Sequence, residues 1–278
     1  MKKIVVLYHS DCPDGFGAAW AAWRRFGNKA DYLPIKHQIP PPRGLKNKEI
    51  YLLDITYAGK ELEKLLKDNT VTTIDHHLSV KKEVERAHQF YFSNNNSGSV
   101  LTWQFFHGKK PIPLLLRYIE DRDLWKFKLP YSRTLLAAVD LVDFNFRKWD
   151  KLAADFEKTG VRKKILEEGK AIVKYQEKSA RDLIKKADLA IFQGRRVWVV
   201  NTYLLKNEVA HALVRKGPPV ALVWNRQGDE IRVSLRSSGG VDVAKMAQKY
   251  RGGGHKASAG FAYDAKRPLP WKYVKMKE

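Results

Sequence analysis

Apolar residues open the chain in one run, Ile4-Val5-Val6-Leu7-Tyr8, which predicts a buried strand over 3–8. Small and aromatic positions from Phe16 to Phe26 then predict a helix packed closely on a sheet. After the loop Pro40-Pro41-Pro42-Arg43-Gly44, Ile50-Tyr51-Leu52-Leu53 reads as a second strand ending at Asp54. A helix over about 58–67 follows, then a short strand at 71–74 ending at Asp75. Strand, helix, strand and helix joined by short links predict an α/β fold with a mostly parallel sheet flanked by helices. Polar Ser93–Ser99 leads into a helix through about Phe106, with N-cap residue types at its start. From 112 to 157 the pattern is largely helical, broken by Asp121-Arg122-Asp123 and Pro130.

A long charged helix is predicted over 161–187, with apolar Val161, Ile165, Ile172, Ala180, Leu183 and Ile184 on its spacing. Gln176 breaks that spacing, and Gly169 weakens the helix from inside. Strand patterns return at 189–192, 196–200, 219–225 and 230–235, with helices near 204–215 and 241–250. The expected organisation is a catalytic domain at 1–158, a helical linker at 159–187 and a smaller α/β domain at 188–278.

Composition narrows the class. Hydrophobic residues make up 44% of the 278 residues and aromatics 12%, enough for real cores. One cysteine, Cys12, excludes an intrachain disulfide and a zinc cluster built from cysteines, which fits a reducing cytoplasm. Ser10-Asp11 follow the first apolar run too soon for a signal peptide, and no run approaches the ~20 residues that span a bilayer. A cytoplasmic protein without membrane association is expected. The net charge of +22 points to polyanionic partners. Residues 189–278 hold 17 Lys and Arg against 6 Asp and Glu, so half of the surplus sits there.

Charge alone suits several partners, and the polar residues that follow the strands sharpen it. His9, Asp11 and Asp14 follow the first predicted strand on a turn bent by Pro13 and Gly15, Asp54 follows the second, and Asp75-His76-His77 close the third. In a parallel sheet these positions share one rim, where sites are built. Asp14 could instead cap the following helix, and Asp54 or Thr56 the next one. Asp121 and Asp123 add carboxylates at a helix C-terminus, where the dipole disfavours them unless a cation such as Arg122 compensates. About six mixed His and Asp ligands exceed one tetrahedral zinc and suit two ions sharing a carboxylate. Imidazole with carboxylate favours manganese over magnesium. Downstream, Arg251-Gly252-Gly253-Gly254-His255-Lys256 offers backbone N–H groups and side-chain donors to an anion; Ser258 and Arg236 could add to it.

At these residues the chain resembles the DHH phosphoesterases that carry a DHHA1 domain, in an oligoribonuclease-like subgroup. The resemblance covers His9–Gly15, Asp54, Asp75-His76-His77, Asp121–Asp123, Gly252–Lys256 and Ser258-Ala259-Gly260, in order. It implies a binuclear, usually manganese, centre in an interdomain cleft. It implies His9, Asp11 and Asp54 as ligands of one ion. Asp14, bridging Asp54, His76 and Asp121 or Asp123 would hold the other, with Asp123 preferred for the aromatic stretch after it. Asp75 would orient His76, and His77 would meet the scissile phosphate. Arg236, Gly252, Gly253, Gly254, His255, Lys256 and Ser258 would bind the substrate's terminal phosphate or nucleotide. The two Asp residues of the first motif usually flank one residue, whereas Cys12-Pro13 separate Asp11 from Asp14 here.

The expected function is a Mn2+-dependent phosphodiesterase or exonuclease that cuts short oligonucleotides to mononucleotides by a two-metal mechanism, with Mg2+ or Co2+ as substitutes. Short single-stranded RNA or DNA and nucleotides are the expected partners, and a homodimer is an option. Trp125, Phe127 and Tyr8 are candidates for stacking on bases. Alternatives are an adenosine 3′,5′-bisphosphate phosphatase and a phosphodiesterase for cyclic or linear dinucleotides. A non-enzymatic nucleic-acid-binding module is disfavoured because every motif is present, and a pyrophosphatase because the Gly252–Gly260 pattern belongs to the other branch.

Overall fold

The computed structural model describes residues 1–10, 12–36 and 39–274. Two compact units divide between Val173 and Lys174.

In the first unit five strands form one wholly parallel sheet: β1 (Ile4–His9), β2 (Ala30–Ile35), β3 (Glu49–Leu53), β4 (Thr70–Asp75) and β5 (Gln89–Phe92). Their order is β2-β1-β3-β4-β5. Alternation in β1 explains the two covered faces. Val6 and Tyr8 face one core with Trp20 and Leu101, while Val5 and Leu7 face the other with Leu62 and Leu65. Helices α1 (Pro13–Phe26), α4 (Gly98–His107), α5 (Leu114–Asp123), α6 (Ser132–Val139) and α7 (Phe146–Glu157) supply the first core. The second core receives α2 (Gly59–Asp68), and a short α3 (Lys81–Val84) lies between β4 and β5.

Two strands of this sheet escape the sequence pattern. β2 contains Pro34, which an edge strand tolerates, and β5 is a largely exposed edge of four residues. Because the chain leaves β1 for β2 on one side and then builds β3 to β5 on the other, the order reverses beside β1. The carboxyl ends of β1 and β3 therefore bound the crevice that a switch of strand order opens.

Helix α8 (Thr159–Ile184) contains the division between the units. Its first half packs Ile165 and Leu166 onto the first core. Gly169, a weak point for a helix in isolation, has a packing reason: a Cβ there would fall 1.9 Å from the Thr134 carbonyl oxygen of α6.

The second unit holds a seven-stranded mixed sheet. Its strands are β6 (Asp188–Phe192), β7 (Arg195–Asn201), β8 (Val220–Gln227), β9 (Glu230–Ser237), β10 (Gly253–His255), β11 (Ser258–Asp264) and β12 (Trp271–Tyr273). The order is β10-β11-β9-β8-β7-β6-β12, with β7 and β8 parallel and the other pairs antiparallel. Helix α9 (Lys206–Leu213) covers one face with the end of α8, and α10 (Val243–Gln248) covers the other. β10, β11 and β12 were not legible as strands, since the first two are rich in Gly, Ala and Ser and the last has three residues.

Candidate metal centre

Every described candidate in the first unit sits where a strand of the parallel sheet ends or a helix meets that end. Asp11 lies outside the described residues. His9 is the last residue of β1, Asp54 follows β3, and Asp75, His76 and His77 run from the end of β4 into its loop.

Asp54 joins two groups of donors. It is 2% exposed and holds φ +57, a left-handed conformation uncommon for a residue with a side chain. His76 Nε2 stands 3.2 Å from its Oδ1 and His9 Nδ1 stands 3.4 Å from its Oδ2. Gly98, at the start of α4, presses directly on this carboxylate: a Cβ there would meet Asp54 Cβ and Oδ1 at 2.7 Å. Gly15 lets α1 close on β1 in the same way, since its Cβ would fall 2.1 Å from the His9 carbonyl oxygen. Neither Asp54 nor Thr56 caps α2, which begins at Gly59 after Ala58 without a side-chain cap.

Asp14 is buried and caps a helix, but not its own. Cys12 is the N-cap of α1, with Sγ accepting from Gly15 N. The Asp14 carboxylate instead accepts from Gly98 N at 2.7 Å, Ser99 N at 3.1 Å and Ser99 Oγ at 2.5 Å, at the positive end of α4. That leaves Asp14 close enough to His76 and Asp123 for one donor atom of each to lie within 4.8 Å of the others. Within the first unit, two further groups among the described residues meet the same limit: His9 with Cys12 and Asp54, and Asp54 with Asp75 and His77.

The two carboxylates at the end of α5 have separate jobs. Asp121 is buried and accepts from Lys128 N and Leu129 N, holding the turn after the helix. Asp123 Oδ2 stands 3.6 Å from His76 Nε2. Arg122 compensates neither of them, because it forms a two-pronged contact with Asp140, both bonds at 2.8 Å.

Asp75 corrects one expectation about orientation. Its Oδ1 lies 2.8 Å from His77 Nδ1 and accepts from the backbone N of His76 and His77, while Thr56 Oγ1 donates to Oδ2 at 2.6 Å. The imidazole it holds is that of His77; His76 donates to it through its backbone N–H. Thr56, the fourth member of this arrangement, carried no sequence signal beyond its capping residue type.

The electrostatics follow from three carboxylates around one buried imidazole. Burial alone would lower His76, but Asp54, Asp123 and Asp14 push it up to about 10. Burial would raise Asp54, yet His76 and His9 hold it well below the usual carboxylate range. Asp14 is raised by burial and by the charge of Asp54. Enclosure, then Asp14 and Asp54, push Asp123 up to about 7, although 31% of its side-chain surface stays exposed. Asp54 Oδ1 is also buried, facing His76 Nε2 at 3.2 Å and His77 Nδ1 at 3.9 Å. Carboxylates crowded until they compete for protons are a donor set that divalent cations fit.

In the second unit, Gly252–Gly254 are packed rather than open. Gly252 N donates to Ala247 O, and Gly253 to His255 pair with Ser258 to Gly260 of β11. A Cβ on Gly252 would lie 2.2 Å from the Gly260 carbonyl oxygen, and one on Gly254 2.5 Å from that of Ser258. The glycines therefore have a steric reason beyond the anion loop expected of them. Lys256 O accepts from Val243 N, so the hairpin also secures the start of α10. Arg236 donates to Leu235 O and Asn207 Oδ1, and burial pulls it down to about 10. Burial, then Arg232 and Arg236, lower Lys206 as well, so three cations crowd together beside α9. Lys206 and Arg232 belong with Arg236 as candidate anion contacts; the sequence offered only their charge.

The DHHA1 domain family matches residues 201–269, within this second unit. The chain is 28% identical over 298 residues to an uncharacterised protein of Acanthamoeba polyphaga mimivirus, covering 97% of this chain and 70% of that one. Its fold is similar to that of RecJ from Thermus thermophilus in complex with Mn2+ (TM-score 0.54, 18% identity, 95% of this chain and 50% of that one). An exopolyphosphatase-related protein from Bacteroides fragilis is also similar (TM-score 0.51, 12% identity, 94% and 87%).

Proposed function

We propose that this chain, which shares the fold of RecJ and carries a DHHA1 domain, is a metal-dependent phosphodiesterase that cuts short single-stranded oligonucleotides to mononucleotides. The observation that carries this reading is the convergence of Asp14, Asp54 and Asp123 on His76 at the switch in strand order. His9, Asp54, His76, Asp14 and Asp123 would hold two divalent cations, with manganese suited to mixed imidazole and carboxylate donors. When bound, such a pair supplies Lewis-acid stabilisation to the oxygens of a phosphodiester.

The chain's own residues supply the rest. Asp54 offers one oxygen to the His9 side and the other to the His76 side, so one carboxylate sets the spacing of both positions. Asp75 fixes the His77 ring through Nδ1, so His77 meets a phosphate oxygen through Nε2. The charge of Asp75 raises the pKa of His77 against the lowering effect of burial, which favours the protonated ring that an anionic substrate would attract. Trp125 and Phe127 lie edge to face with ring centres 4.8 Å apart on the turn after Asp123, with Arg133 over Phe127 at 4.3 Å. That pair suits a base near the scissile phosphate. Tyr8 does not, being buried against Phe16. The cations Lys206, Arg232 and Arg236 favour a polyanionic substrate.

The test incubates the protein and Mn2+ with end-labelled RNA and DNA from dinucleotides upward, beside adenosine 3′,5′-bisphosphate. Mononucleotide release from the short oligomers is expected, and hydrolysis of the bisphosphate alone would replace this reading with a phosphatase.

A further inference from the structure

A cavity lying wholly within the second unit belongs to none of the sites above. It measures about 620 Å3, in the range of ligand sites, and lies where β6, β7 and the loop between α9 and β8 meet. Leu189 of β6 pairs with Trp198 of β7, and Arg196 stands two residues before Trp198, so alternation puts the three side chains on one face. All three line the cavity, with Arg195, Lys216 and Gly217. Gly217 faces the edge of the indole, where a Cβ would rest 3.4 Å from Cζ2 and 3.5 Å from Nε1. No carboxylate lines the cavity, and Arg195, Arg196 and Lys216 form no ion pair among the described residues. Strand register separates this place from Arg236. Trp198 pairs with Ala221 and Ala221 with Arg236, so Arg236 is two strands, roughly 10 Å, away along the sheet.

We propose that this cavity binds single-stranded nucleic acid, with a base against Trp198 and the adjoining phosphates on Arg195, Arg196 and Lys216. Sites for single strands combine these two elements, cations that follow the backbone and an aromatic ring on which a base stacks. Three exposed cations with no carboxylate between them give a local positive field. The two guanidinium groups add planar donors that match phosphate oxygens in pairs. Half-buried Trp198 argues against a bare anion, because phosphate alone leaves the apolar ring unused. A concave site also suits a base better than a bilayer, which takes up an apolar face laid along its surface. With no carboxylate, histidine or thiol in its lining, the cavity holds a strand and does not cut it.

The test uses the full chain in chelator, so that binding is read without turnover, and fluorescently labelled single strands of about twelve nucleotides. Anisotropy across a salt series gives affinity and slope. Replacing Arg195, Arg196 and Lys216 together by Ala should make the slope of log K against log salt shallower by about 2, at roughly 0.7 for each phosphate. Replacing exposed Lys60, Lys64 and Lys67 of α2 removes the same charge elsewhere and should leave the slope as in wild type. Trp198→Leu should weaken binding roughly 5- to 150-fold. A strand carrying 4-thiouridine, photo-crosslinked to the wild-type protein, should mark the peptide that contains Trp198, which decides the matter even if Trp198→Leu fails to fold. Equal slopes for the two triple variants, crosslinks confined to other peptides, or a folded Trp198→Leu that binds as wild type would each overturn the proposal. So would a loss of binding to vesicles rich in phosphatidylserine with strand binding intact. Hydrolysis with Mn2+ is measured in parallel. A strand held at Trp198 without hydrolysis removes the proposed function alone, and hydrolysis with cavity variants that bind as wild type removes this site alone.

Discussion

Asp75 touches three neighbours at once, the His77 ring, the backbone behind it and Thr56 Oγ1, so its removal has a specific consequence. Asp75→Asn keeps the shape but places an amide where His77 needs an anion. The expected effect is a fall in kcat of roughly 10²-fold or more with metal binding largely kept, checked by steady-state kinetics and calorimetric metal titration. Equal loss of both would mean that Asp75 acts through the metal positions instead. His76 makes a separate prediction for the metal-free protein. Its folded pKa of about 10 lies above the ordinary 6.5, so its stabilising effect is complete below about pH 6.5 and is lost as pH rises through about 10. In chelator, the melting temperature of wild type minus that of His76→Gln should shrink across that window. A difference that grows with pH would contradict the charge assignments around His76.

Among the elements, the surprises are exchanges of partner. Asp14, placed by sequence at the start of α1, caps α4, and Cys12 takes the cap for which Asp14 has the better residue type. The N-termini of two helices and the ends of β1 and β3 are thereby tied to one another by Asp14 and the small residues Gly15 and Gly98. Helix α8 shows how a local weakness can have a tertiary cause. Gly169→Ala would improve helix propensity by about 1 kcal/mol in isolation. Here its Cβ meets the Thr134 carbonyl at 1.9 Å, so α6 and α8 must separate. A net destabilisation of about 1–3 kcal/mol is expected in urea unfolding, and a stabilised variant would show that α8 can shift without cost.

Across the whole molecule, charge sets how the proposed substrate would be met. A net charge of +22, with Lys206, Arg232 and Arg236 near one another in the segment that the DHHA1 family matches, predicts that binding of the proposed oligonucleotide substrate weakens steeply with salt. The slope of log K against log salt should be about −0.7 for each phosphate neutralised, and Arg236→Ala should make it shallower by about that amount if Arg236 neutralises one phosphate. Fluorescence anisotropy across a salt series measures this, and an unchanged slope would remove Arg236 from the anion contacts.

Much of the architecture was legible because it depends on near neighbours. β1, β3 and β4 announce themselves through apolar runs, and His9, Asp54 and Asp75–His77 stand just beyond those runs. A parallel sheet brings such positions to one rim whatever the loops do. What sequence spacing could not decide was which side chain meets which. Asp121 and Asp123 are two residues apart on α5, yet one holds a turn and the other faces His76. Asp75 could address either histidine, and only the folded loop turns it to His77. The glycines at 98 and 169 look like local freedom, but each answers a close approach from a distant segment. Residue type and periodicity determined the chemistry on offer and the rim where it gathers. Tertiary structure alone decided the pairings, because hydrogen bonds and ion contacts act over a few ångströms and only the folded chain sets which groups come that close.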